Sequence, residues 1–120
     1  MAIGLDTSVL LLIGVPKAQA QAAQRRLEQA IEDGEPVFVC DLVLAEAYYA
    51  LQFHYGVPKA EARAMLLGFA RSGVAAVEPR GAASALTSTG GAGLVDRFIH
   101  SRHRALGATT VTFERKTRSA

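Results

Sequence analysis

Four carboxylates in this 120-residue chain stand where carboxylates are out of place. Asp6 directly follows Ala2-Ile3-Gly4-Leu5, a short apolar run that reads as a buried strand. Glu46 interrupts an apolar helical pattern, with Leu42, Val43, Tyr49 and Ala50 three or four residues to either side. Asp96 breaks the apolar sequence Leu94-Val95-Asp96-Arg97-Phe98-Ile99, and Glu114 follows the strand-like run Thr109-Thr110-Val111-Thr112-Phe113. A carboxylate on an apolar face is costly unless it is paired or bound to a cation. Several in one crevice repel one another and raise each other's pKa values. A divalent cation relieves both problems, and ligands that are all oxygen favour a hard ion, magnesium or manganese. Such an ion positions a water, lowers its pKa and neutralises charge on a phosphodiester oxygen, which is the chemistry of nucleic-acid backbone hydrolysis.

Each acid also has a plain structural alternative. Asp6 can cap a helix that starts at Thr7, and Glu46 can sit at a helix edge or pair with an arginine. Asp96 can serve the first turn of a helix, where negative charge is favoured. Glu114 can begin a polar tail beside Arg115 and Lys116. Position alone leaves these alternatives open. The hydroxyls of Thr7, Ser8 and Thr112 adjoin the acids and can orient a carboxylate or a water. Helix capping and ordinary strand occupancy explain them equally well.

The elements that must position these residues alternate along the chain. Ala2–Leu5 is a predicted strand and Thr7–Ile13 a short helix. A helix opens at Pro16, carries Ala22, Leu27, Ala30 and Ile31 as its inward stripe, and stops near Gly34. Pro36–Cys40 is the second strand. Asp41 stands at the N-cap of a helix whose inward face is Leu42, Val43, Glu46, Tyr49, Ala50 and Phe53, ending at Gly56. A further helix runs from Pro58 to Ser72, with Ala62, Met65, Leu66 and Phe69 inward. Val74–Val77 is the third strand. Arg80–Ser88 is a helical stretch, Thr89–Gly93 a loop, Leu94–Leu106 a helix and Thr109–Phe113 the last strand. The tail, about residues 115–120, is expected to fray. Strands joined through helices predict an α/β fold, a three-layer α/β/α sandwich around a small central parallel sheet, as a single domain over residues 1–120. Ligand sites in such sheets lie at the carboxyl ends of the strands.

Composition sets the outer limits. Half the residues are hydrophobic and 20% are charged, so the chain can bury a core and wholesale disorder is excluded. Trp is absent and aromatics are 7%, so that core is built of Ala, Leu and Val. A net charge of +2 is compatible with a nucleic-acid partner and does not demonstrate one. One cysteine, Cys40, excludes an intrachain disulfide and a Cys-rich zinc module. Thiol poverty and the missing signal peptide predict a cytoplasmic location, and the apolar stretches are too short for a membrane span.

Four segments taken in order resemble the PIN-domain ribonuclease family, in particular the VapC-like toxins of bacterial toxin–antitoxin pairs. Ile3-Gly4-Leu5-Asp6-Thr7-Ser8-Val9-Leu10 is similar to the family's opening strand and first acid. Asp41-Leu42-Val43-Leu44-Ala45-Glu46 is similar to its second acidic motif, and Val95-Asp96-Arg97-Phe98-Ile99 stands in the place of the third. Leu106 to Arg115 resembles the closing strand, where the family usually has Thr-Phe-Asp. The resemblance implies that Asp6, Glu46 and Asp96 are metal ligands, with Glu114 standing in for the fourth acid. It implies a Mg2+- or Mn2+-dependent endoribonuclease with an RNA substrate, a cognate antitoxin as inhibitor, and a homodimer. Three departures bear on activity. Glu114 is a methylene longer than Asp, Gly93 lies where many relatives carry another Asp, and Arg97 and His100 replace small or apolar residues. They support an alternative: a degenerate PIN domain that binds RNA or a protein partner without cutting it. A phosphatase-like acid site is disfavoured, because Asp6-Thr7-Ser8 lacks the second Asp of an Asp-x-Asp loop.

Other chemistry-bearing residues read more simply. His100 and His103 have the spacing to share a metal, but Arg102 and Arg104 beside them favour a solvated basic face. His54 reads as helix-end surface, and Cys40, Tyr48 and Tyr49 as core. Gly90-Gly91-Ala92-Gly93 lacks the Lys-Ser/Thr of a P-loop and reads as a loop. Arg97, Arg102, Arg104, Arg115, Lys116 and Arg118 concentrate positive charge toward the C-terminus and can meet RNA phosphates.

Overall fold

Val37-Phe38-Val39-Cys40 is a β-prone stretch, and it forms the central strand of the sheet. The structure, a computed structural model, describes residues 2–11, 17–87 and 93–113. Strand β1 (Ile3–Gly4), β2 (Val37–Cys40) and β3 (Ala76–Glu78) lie side by side in that order. Both pairings are parallel, with Ile3 opposite Val37 and Val39 opposite Val77. Pairing continues just past β1, where the Leu5 N–H donates to the Phe38 carbonyl at 2.8 Å. Leu5 is thereby buried at the sheet's carboxyl edge, and Asp6 is the first residue beyond it.

Helices connect the strands, as parallel pairing requires. They are α1 (Thr7–Leu11), α2 (Lys17–Glu32), α3 (Asp41–Phe53), α4 (Lys59–Arg71), a 3-10 helix (Ala82–Leu86) and α5 (Leu94–Ala105). The mixed α/β architecture expected from the sequence is the one observed, with a small three-stranded parallel sheet among the described residues. Helix α3 packs on α1, α4 and α5, so it is the hub on which the other functional elements rest. The core is aliphatic: Val39, Leu44, Leu86 and Leu94 are almost wholly shut from solvent, and Ala30, Ala47, Ala62 and Ala82 let neighbouring backbones approach. No helix among the described residues is long and apolar enough to cross a membrane.

Several sequence expectations are corrected. Helix α3 buries Leu44, Ala47, Tyr48 and Leu51, not the stripe through Leu42, Tyr49 and Phe53, which are all exposed. Ten of its thirteen residues are apolar, so periodicity alone cannot choose a face. Helix α2 buries only Ala30; Ala22 and Ile31 face solvent. Met65 and Ile99 are exposed as well. Among the described residues of the stretch expected to be helical from Arg80, Ala82–Leu86 form a short 3-10 helix. Residues 109–113 are in no strand among the described residues, and Val111 and Phe113 are fully exposed. The expected roles of Pro16, of Ser88 at the end of the helical stretch, of the 89–92 part of the loop, of Glu114 and of the tail lie outside the described residues.

Candidate active site

Strand β1 delivers Asp6 to the sheet's carboxyl edge, and α1 starts at the next residue. The Asp6 carbonyl accepts from Leu10 N–H at 2.9 Å, which places Asp6 at the N-cap of α1. Its Oδ1 accepts from the Thr7 N–H at 2.8 Å, and its Oδ2 accepts weakly from the Ser8 hydroxyl at 3.4 Å. The capping role is therefore part of the answer for Asp6, yet its carboxylate remains exposed with acceptor capacity to spare.

Thr7 then reaches across 39 residues of chain: its hydroxyl donates to Glu46 Oε1 at 2.7 Å. One residue thus bonds both carboxylates, through its amide to Asp6 and through its hydroxyl to Glu46. Glu46 makes no ion pair among the described residues, so the arginine-paired alternative does not describe it. Because the buried face of α3 is rotated from the expected one, Glu46 is exposed and pays no burial cost. It faces solvent beside Asp6's helix, where an added ligand can reach it.

Asp96 is half-buried in the first turn of α5. The helix is capped by Gly93, which has no side chain to offer the free amides. A Cβ built on Gly93 would sit 3.9 Å from Asp96 Oδ2, an ordinary contact that leaves room for a side chain beside the carboxylate. Among the described residues no three metal-competent side chains form one cluster. Thr112 is half-buried in the irregular segment after α5, and Glu114 lies outside the described residues. The donor chemistry nonetheless suits a hard cation. Magnesium keeps several waters and commonly uses one or two carboxylates together with substrate phosphate oxygens. Two exposed carboxylates held by one threonine meet that description.

A further acid holds the frame. Asp41 is the first residue of α3; Cys40 takes the N-cap position, and Asp41 is 1% exposed. Its oxygens accept from Arg102 Nε at 2.7 Å and Arg102 Nη2 at 2.5 Å. The hydrogen bonds and charge of Asp41 push the Arg102 pKa above its ordinary value, against a small opposing effect of burial. Arg102 is therefore a structural cation and not part of a free basic face. The signal was present: Asp41 follows an apolar strand just as Asp6 does. The histidines are also less simple than a solvated pair. His103 Nδ1 lies 2.7 Å from the Thr110 hydroxyl, and His100 Nε2 is enclosed without a hydrogen-bond partner. Tyr48 is core as expected, whereas Tyr49 is exposed and stacks on Phe53.

These features define a small α/β protein with an acidic site at the carboxyl edge of a parallel sheet. The chain belongs to the PIN-domain family, whose model matches residues 3–120. PIN domains are generally nucleases and typically use divalent metal ions. Comparisons with curated proteins and with solved structures found no match.

Proposed function

We propose that this protein is a Mg2+- or Mn2+-dependent endoribonuclease, the VapC-like toxin of a type II toxin–antitoxin pair acting in the cytoplasm. The observation that carries the reading is the double hold of Thr7 on Asp6 and Glu46. Asp6 and Glu46 would hold the ion, with Asp96 and Glu114 contributing from the third motif and the chain's end. When bound, the ion supplies charge neutralisation at a phosphodiester oxygen and an activated water. The chain's own work is orientation: Thr7 fixes one oxygen of each carboxylate and leaves the others toward the ligand. Ser8 adds a weak second hold on Asp6. A cognate antitoxin is the expected inhibitor. The exposed apolar side chains Leu42, Tyr49 and Phe53 on α3 support a homodimer.

The test is cleavage of structured RNA by purified protein in magnesium or manganese, with and without EDTA. Glu46→Gln keeps the shape and removes the charge. It should cost several orders of magnitude in rate while the fold survives, because Glu46 is exposed and packs little. Equal cleavage by wild type and variant would sink the assignment of the site.

A degenerate domain that binds RNA or a protein without cutting is the second reading. The bare Gly93 beside Asp96 favours it, since one carboxylate the resemblance leads one to expect is missing there. RNA retention without metal-dependent cleavage would select it.

A further inference from the structure

Away from the acids, the 3-10 helix and α5 enclose a groove of about 330 Å3 lined by Arg80, Gly81, Ser84, Arg97, His100 and Arg104, among others. Among the described residues no Asp or Glu lines it. The side chains of Arg80 and Arg104 make no ion pair or hydrogen bond among the described residues. The guanidinium groups of Arg80 and Arg104 around one groove repel each other, and an anion sharing the space relieves that repulsion. The arrangement follows from two local features. Arg97, His100 and Arg104 recur at three- and four-residue intervals, which puts them along one face of α5. Arg80 comes from the opposite wall, turned in by Gly81, whose φ of 88° is a conformation that favours glycine. That turn brings the start of the 3-10 helix close to α5, where a Cβ on Gly81 would lie 3.8 Å from Ser101 Oγ.

We propose that this groove is a phosphate-binding site that holds the sugar–phosphate backbone of an RNA strand, apart from the metal-ligand acids. Arginine is suited to it, because its planar fork meets phosphate oxygens two at a time. The groove starts at Arg97, the residue after Asp96, and follows α5 to Arg104. That is roughly 10 Å at the helical rise, long enough to meet two adjacent phosphates of a strand. A strand held there leads directly to the turn of α5 that carries Asp96. The choice of RNA as occupant rests on the nuclease reading above; the fit of the groove to an anion does not.

The experiment measures binding of a fluorescein-labelled single-stranded RNA by anisotropy in EDTA, where no metal-dependent cutting interferes. Arg80→Ala/Arg104→Ala should raise Kd about tenfold or more and lower the salt slope by about 1.4, at about 0.7 for each phosphate that is no longer neutralised. Arg25→Ala/Arg71→Ala removes the same charge from exposed positions elsewhere and should leave Kd nearly unchanged. The proposal is overturned if the groove variant binds like wild type, if the control variant loses as much, or if wild type does not bind. It is also overturned if inorganic phosphate at low millimolar concentration displaces the RNA fully, which would make the groove a small-anion site. Binding that depends on the groove in a protein that never cuts would leave this proposal standing and remove the nuclease reading.

Discussion

The buried carboxylate of Asp41, at the head of α3, is gripped at both oxygens by Arg102, in the last turn of α5. The pair spans 61 residues of sequence and ties the helix of Glu46 to the helix of Asp96. Its two ends are unequal, because Asp41 is 1% exposed and the Arg102 side chain 46%. That inequality decides which substitution hurts more. Arg102→Ala strands a buried charge and should cost ~1.5–3 kcal/mol. Asp41→Asn leaves a half-exposed guanidinium that can turn to water, and should cost less. Urea unfolding of both variants and the double variant checks the order; equal losses would mean the pair is not what is being measured.

The same pair has a defined pH signature. Arg102 is held above its ordinary pKa by the hydrogen bonds and charge of Asp41. A raised folded-state value stabilises below the unfolded pKa and is lost only as pH climbs through the folded one. On the alkaline side, the stability gap between wild type and Arg102→Ala should therefore stay flat from about pH 7 to about pH 10, well below the range where arginine titrates. A gap that closes within that window would show that another group carries it.

Thr7 should behave as a positioning residue. Thr7→Val keeps the volume and the amide bond to Asp6 but removes the hydroxyl from Glu46. It should weaken metal affinity or activity by about 10–100-fold, as loss of a ligand's supporting hydrogen bond commonly does. Thr7→Ser, which keeps the hydroxyl, should recover most of the loss. Failure of serine to rescue would assign the effect to packing instead.

Metal should stabilise the folded protein, since the ion binds the assembled acids and not the unfolded chain. A hundredfold excess over Kd is worth about 2.7 kcal/mol. Asp6→Asn should abolish the rise in Tm. Gly93→Asp should enlarge it, because the new carboxylate would stand beside Asp96 and the backbone at φ −65°, ψ 167° accepts any residue. It would also supply the N-cap that α5 lacks. A Tm indifferent to millimolar metal in both proteins would count against the acid site.

Much of this was legible locally. Asp6 after Leu5, the helices stopped at Gly34 and Gly73, and the alternation of strand and helix depend on near neighbours, and the structure keeps them. The failures share a cause. Residues 109–113 alternate like a strand, but a strand exists only where another offers its hydrogen bonds, and no local pattern supplies that partner. Glu46 was expected among buried side chains because α3 is apolar nearly all round, and only its packing against α1, α4 and α5 selects the buried face.

The amino-acid sequence by itself determined which acids stand at the ends of strands and helices, because backbone propensity, chain direction and turn chemistry act over a few residues. Tertiary structure alone decided what each acid does there. Asp6 and Asp41 both follow an apolar strand, and nothing local separates them. Folding brings Arg102 to Asp41, which becomes a buried tie. Folding leaves Asp6 exposed, joined through Thr7 to Glu46. A charge acquires its role from the groups and the solvent that surround it, and those arrive from distant parts of the chain.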